Sequence, residues 1–177
     1  MPLILHGIGT AVPKQRLSQA EAVQVAYRIN AESPEQARLM SRIYQKTKVL
    51  NRGSVLLEND AEGGTEQSRL SFYGSESPST AERMQAFGDH AGRLALEASL
   101  KAISDGNISS GAITHLVTVS CTGFQSPGVD LFLIEKLGLS PSVQRTHIGF
   151  MGCHGALNGL RVAHAFAEMD PKAVVLL

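Results

Sequence analysis

The sequence predicts an α/β fold in which a mainly parallel sheet is flanked by helices. Two observations point there. From residue 113 onward, apolar strand-like runs alternate with helical stripes, and this order of elements builds parallel sheets covered on their faces. Earlier in the chain, helix-capping signals precede three periodic segments. Composition agrees: 177 residues, 43% hydrophobic and 18% charged, describe a folded domain with a core rather than a disordered chain.

Leu3 to Ile8 is a short apolar run stopped by Gly9 and Pro13, and it reads as a buried strand with a turn at its end. Ser18 with Glu21 has the spacing of a capping box, so a helix starts there, with Ala22, Val25 and Ala26 at helical intervals. Ser33-Pro34 opens a second helix whose apolar stripe includes Leu39, Met40 and Ile43. Its basic residues are Arg38, Arg42 and Lys46, followed by Lys48. Residues 58 to 80 hold Gly63, Gly64, Gly74 and Pro78 among polar residues and read as a long surface loop. Ser79 with Glu82 caps a long helix reaching about Ile103, with Met84, Phe87, Ala91, Leu94 and Ala98 along one stripe.

The alternating part follows. Ile113 to Ser120 reads as a buried strand, Val129 to Leu137 as a helix and Val143 to Phe150 as a weaker strand. Gly152-Cys153 is a turn, Ala156 to Met169 a helix and Ala173 to Leu177 a strand. That last apolar run stops without a cap or a following element, which reads as truncation. No interdomain linker or internal repeat is visible.

Sixteen basic residues balance sixteen acidic ones, so net charge gives no reason to expect nucleic acid or a membrane surface as partner. No apolar run approaches the ~20 residues that span a bilayer. Cys121 and Cys153 make neither a disulfide framework nor a Cys-x-x-Cys redox motif. A reducing cytoplasm suits two such thiols. The six histidines have no metal-ligand spacing, and Gly7-Ile8-Gly9 lacks the third glycine of a dinucleotide turn. No metal and no cofactor are expected.

Cys153 sits between a strand and a helix, with Gly152 before it and Gly155 after it. Glycines relieve crowding where a tight turn must admit a substrate. A thiol at a helix N-terminus faces the positive end of the macrodipole, which favours the thiolate. Thiolates exchange with thioesters, so covalent acyl transfer is the natural chemistry. Against this stands the ordinary role of an isolated cysteine as a small buried hydrophobe.

Three groups of residues resemble one family in order along the chain. They are Ile8-Gly9-Thr10-Ala11-Val12-Pro13 with Ser18-Gln19, then Thr114-His115-Leu116-Val117 followed by Gly123, Pro127-Gly128-Val129-Asp130 and Leu137-Gly138-Leu139. Last comes Gly152-Cys153-His154-Gly155-Ala156 with Leu160-Arg161-Val162-Ala163. The chain resembles the N-terminal half of bacterial chalcone synthase-like enzymes, the type III polyketide synthases of the thiolase superfamily. The resemblance implies a thiolase-like layered fold over residues 1–177. It further implies that Cys153 accepts an acyl group from acyl-CoA for decarboxylative condensation with malonyl-CoA. A histidine and an asparagine in the second half of the family fold assist this chemistry, so residues 1–177 alone are expected to be inactive. Arg42 and Lys46 match positions that contact coenzyme A phosphates; a third such position falls on Leu39, next to Arg38. Cys121 aligns with a cavity-lining threonine, and with Thr122, Phe124 and Ser126 belongs to a cavity or dimer loop. Family members are homodimers, and Ser126 stands where plant enzymes often project a methionine into the partner.

Other thiolase-fold enzymes remain as alternatives. A ketoacyl-carrier-protein synthase of the initiating type and a hydroxymethylglutaryl-CoA synthase share a cysteine elbow, although Pro127-Gly128-Val129-Asp130 favours the polyketide synthase. A non-catalytic acyl-CoA-binding protein of the same fold is the reading from a different class.

Overall fold

A computed structural model describes residues 3–30, 32–57, 68–73 and 77–177. The chain forms two compact units, Val12–Thr80 and the combination of Met1–Ala11 with Ala81–Leu177.

The unit Val12–Thr80 contains β1 (Arg16–Ser18), α1 (Gln19–Asn30), α2 (Pro34–Lys46) and β2 (Asn51–Gly53). Its helices begin where their capping residues sit. The Glu21 amide donates to Ser18 Oγ at 3.2 Å while the Glu21 carboxylate accepts from the Ser18 amide, a reciprocal box. Ser33 Oγ accepts from the Gln36 amide at 3.3 Å, and Pro34 occupies the first turn. Leu17, Ala22 and Leu57 form a small core against Val25, Tyr44, Leu56 and Tyr73. β1 and β2 pair antiparallel, Leu17 opposite Arg52. Three-residue strands carry no readable alternation, which is why the sequence did not announce them. The stripe expected on α2 is not a buried one within this unit: Leu39 is 58% and Ile43 51% exposed, and no α2 residue is buried. Of the loop expected at 58 to 80, residues 58–67 and 74–76 lie outside the described residues, and Ser68–Tyr73 forms a 3-10 turn.

The other unit carries α3 (Thr80–Asp105), β3 (His115–Ser120), α4 (Val129–Leu137), β4 (Gln144–Gly149), α5 (Gly155–Met169) and β5 (Val175–Leu176). The sheet order is β4-β3-β5, with both pairings parallel. Leu116 lies opposite Arg145, Thr118 opposite His147 and Ser120 opposite Gly149. Alternate residues of a strand face opposite ways. Leu116 joins Leu133, Leu137, Val143 and Leu176 in the core, with Ala95, Leu96 and Ile103 of α3 packed against it. On the opposite face His115 stacks on Phe166 of α5 at 4.3 Å, and Gly155 and Gly159 bring α5 against Val119. Leu116 is 1% exposed, and burying such a side chain stabilises the fold by ~1.5–3 kcal/mol.

Leu3 to Ile8 is not a buried strand. It makes no strand pairing, and Leu3, Ile4, Leu5 and Ile8 are 41–69% exposed. The segment is instead laid along α3. A Cβ on Gly9 would overlap the Ala98 carbonyl oxygen, and one on Gly7 would overlap backbone atoms of Ala102 and Gly106. The Ile8 amide donates to the Asp105 carboxylate at 2.9 Å, and Lys101 Nζ donates to the Thr10 carbonyl at 2.9 Å. Gly7 and Gly9 are therefore a close backbone crossing over a helix rather than a turn that ends a strand. Among the described residues no helix is long and apolar enough to cross a membrane.

Candidate active site

The chain leaves β4 at Gly149 and enters α5 at Gly155, and the residues between them form a tight elbow. Phe150 and Gly152 have left-handed backbones, φ 59° and 66°, and Gly152–His154 is a 3-10 turn. A Cβ on Gly152 would meet nothing within 4 Å, so glycine is required there by the backbone and not by space. Cys153 is an exposed free thiol in this turn, ahead of the 15-residue α5. The first amides of a helix have no partners within it and carry its positive end. His154 turns back on the elbow, its Nδ1 3.1 Å from the Met151 carbonyl. A carbonyl only accepts, so that nitrogen carries the proton. Cys121 is likewise an exposed free thiol.

A cavity of about 790 Å³ is bounded by α3, the sheet, α4 and the loop between β3 and α4. Phe87, Ala91, Ala95, Leu116, Leu133 and Leu176 supply apolar wall; Thr118, Ser120, Asp130, Arg145 and His147 supply polar groups. Two contacts order the polar side. Arg145 donates to Asp130 at 2.8 Å, and Thr118 Oγ1 lies 2.9 Å from His147 Nδ1. The cavity reaches the first turn of α5 at Ala156, three residues beyond Cys153.

Phe124 and Ser126 line this cavity, whereas Cys121, Thr122 and Cys153 do not. Cys121 and Thr122 are exposed. The end of β3 marks the difference: every residue from Leu116 to Ser120 borders the cavity, and Cys121 follows Ser120 into the turn. The Ser126-Pro127 peptide is cis. Arg42 and Lys46 belong to the other unit, four residues apart on α2 and both exposed. Among the described residues no three His, Cys, Asp or Glu side chains gather as a metal site. Sequence reasoning passed over Thr118, Arg145 and His147. No periodic signal marked them: Gln144, Arg145, Thr146 and His147 are four polar residues in a row, so the sequence does not say which face of β4 borders a cavity.

Comparison with known proteins gives this geometry a family. Residues 2–177 match chalcone and stilbene synthases, N-terminal domain. Type III polyketide synthase C of Arabidopsis thaliana is 36% identical over 171 residues, 96% of this chain and 43% of that protein. The solved type III polyketide synthase domain of Steely1 from Dictyostelium superposes with a TM-score of 0.76 at 27% identity, over 97% of this chain and 45% of that one. CsyB, crystallised with CoA-SH, superposes at 0.71 and 30% identity, over 92% and 41%. The chain thus spans about two fifths of the length of the curated relatives it matches. With its parallel sheet, its cysteine elbow and this match along nearly its whole length, the chain belongs to the chalcone and stilbene synthase N-terminal domain family, the type III polyketide synthases.

Proposed function

We propose that Cys153 is the acyl acceptor of a type III polyketide synthase and takes its starter from acyl-CoA for condensation with malonyl-CoA. The observation that carries this reading is the exposed thiol on a glycine-bearing elbow ahead of α5, in a chain of this family. In the transfer the thiol gives up its proton, a bond forms between Sγ and the acyl carbon, and the carbon–sulfur bond to coenzyme A breaks. Coenzyme A leaves as the thiol. Decarboxylation of malonyl-CoA then supplies the carbanion that attacks the bound thioester. The relative crystallised with CoA-SH supports a coenzyme A thioester as donor.

Arg42 and Lys46 are proposed to hold coenzyme A phosphates. Both are exposed and, with Arg38, form a row at intervals of four on α2. Cys121, Thr122, Phe124 and Ser126 are proposed to belong to the acyl pocket or to the loop approaching a second copy in a homodimer; of the four, Phe124 and Ser126 border the cavity. The proposed setting is a reducing cytoplasm, where Cys121 and Cys153 stay free.

In a full-length enzyme that includes the second half of the family fold, incubation with acyl-CoA should leave an acyl adduct on the Cys153 peptide by mass spectrometry, and Cys153→Ala should abolish it. An equal adduct yield in the alanine variant removes the assignment. A folded parent that takes no acyl group favours the non-catalytic reading. Malonyl-CoA offered against malonyl-carrier protein separates a polyketide synthase from a ketoacyl-carrier-protein synthase.

A further inference from the structure

We propose that Phe150 is a positioning residue for Cys153, held in its left-handed backbone conformation by the ring of Phe124. The proposal rests on Cys153 being the acyl acceptor.

Between β4 and α5 the backbone reverses through two residues of positive φ. At Gly152 this is free of steric cost, because glycine has no Cβ. At Phe150 a bulky side chain holds the same sign of φ, a conformation that Cβ-bearing residues rarely adopt. Burial of the side chain does not explain it, since Phe150 is 70% exposed. Such a conformation persists only where neighbouring contacts determine it.

Two contacts do so. The Phe150 amide donates to the Ser120 carbonyl at 3.3 Å, which ties the elbow to the end of β3. The Phe150 ring lies against Phe124, with ring centroids 5.9 Å apart and planes tilted by 52°. Phe124 is itself anchored on α3: its amide points at Met84 Sδ at 3.3 Å, and the Phe87 ring covers the neighbouring Gly123. The Gly123 amide donates to Ser120 Oγ at 3.1 Å, closing the same turn. A firmly seated loop thus presents an aromatic ring to the residue that sets the direction of the elbow. Cys153 follows three residues later, so relaxation of Phe150 to negative φ redirects the thiol.

The test follows two reactions of Cys153 in the intact protein by time-resolved peptide mass spectrometry. One is transfer from a short-chain acyl-CoA; the other is alkylation by iodoacetamide, which requires no acyl pocket. In the Phe150 variants the Cys121 peptide serves as internal comparison. Phe150→Ala and Phe124→Ala should each slow both reactions at Cys153 by about tenfold or more, as displacement of a reacting group does. Phe150→Gly takes the left-handed backbone freely and should recover most of that loss, also when combined with Phe124→Ala. Equal slowing in Phe150→Gly and Phe150→Ala overturns the proposal, because the ring and not the backbone would then matter. Parent-like rates in Phe124→Ala overturn it too. If a variant loses its cooperative melt, Phe150→Asn replaces it, since asparagine tolerates positive φ; it should fall between the glycine and alanine rates, and a rate at or below that of alanine counts against the proposal. A parent that is alkylated at Cys153 but never acylated refutes the acyl-acceptor assignment alone, and the order of alkylation rates still decides the role of Phe150.

Discussion

Ser120 ends β3, whereas its neighbour Cys121 already belongs to the turn that follows. Ser120 lines the cavity with Thr118 and Leu116, while Cys121 is exposed at the start of the turn. The proposed role of Cys121 in choosing acyl groups rests on its alignment with a cavity threonine. Ser120 stands on the cavity wall, and we propose it as the stronger determinant. Ser120→Phe should narrow the cavity and shift acylation toward shorter acyl groups, more than Cys121→Phe does. Discrimination is worth only ~1–3 kcal/mol per methylene, so competing acyl-CoA thioesters of graded length are the suitable measurement, with melting temperature as a check on folding. A larger shift from Cys121→Phe would return the selecting role to Cys121.

At the scale of elements, two helices carry separate expectations. The segment leading from Leu3 crosses α3 with Gly9 against the Ala98 carbonyl. Gly9→Ala must push that crossing apart, and overpacking of this kind costs ~1–3 kcal/mol. Thermal melting should register the loss as a lower midpoint; an unchanged midpoint would mean the crossing is not tight in solution. α2 is amphipathic in pattern but buries none of its residues, and Arg42 and Lys46 stand free of ion pairs among the described residues. Neutralising both should raise the apparent Michaelis constant for coenzyme A thioesters while sparing N-acetylcysteamine thioesters, which lack the phosphates. Equal losses with both donors would assign the pair a folding role. Exposed pairs such as Lys101–Glu97, at 2.7 Å, contribute only ~0.3–0.5 kcal/mol each and decide none of this.

At the scale of the whole molecule, residues 1–177 hold the proposed nucleophile but not the histidine and asparagine that the family resemblance assigns to its second half. These residues alone should therefore release no carbon dioxide from malonyl-CoA, read with labelled substrate on monodisperse protein. Measurable turnover would show that groups within 1–177 suffice. The sequence by itself determined the helices, because Ser18, Ser33 and Ser79 are local signals and a helix satisfies its own backbone. It also determined the parallel order of β3 and β4, the elbow at Cys153 and the family, since all of these are written in short runs of adjacent residues. The tertiary structure alone decided what depends on partners distant in sequence. Leu3 to Ile8 has the apolar content of a strand, but a strand needs another strand beside it, and the segment lies on α3 instead. β1 and β2 exist only through each other. Thr118 meets His147, 29 residues away, and Phe124 meets Phe150 because parallel pairing sets the ends of β3 and β4 side by side. Such contacts arise from packing between elements, and neither periodicity nor capping encodes them.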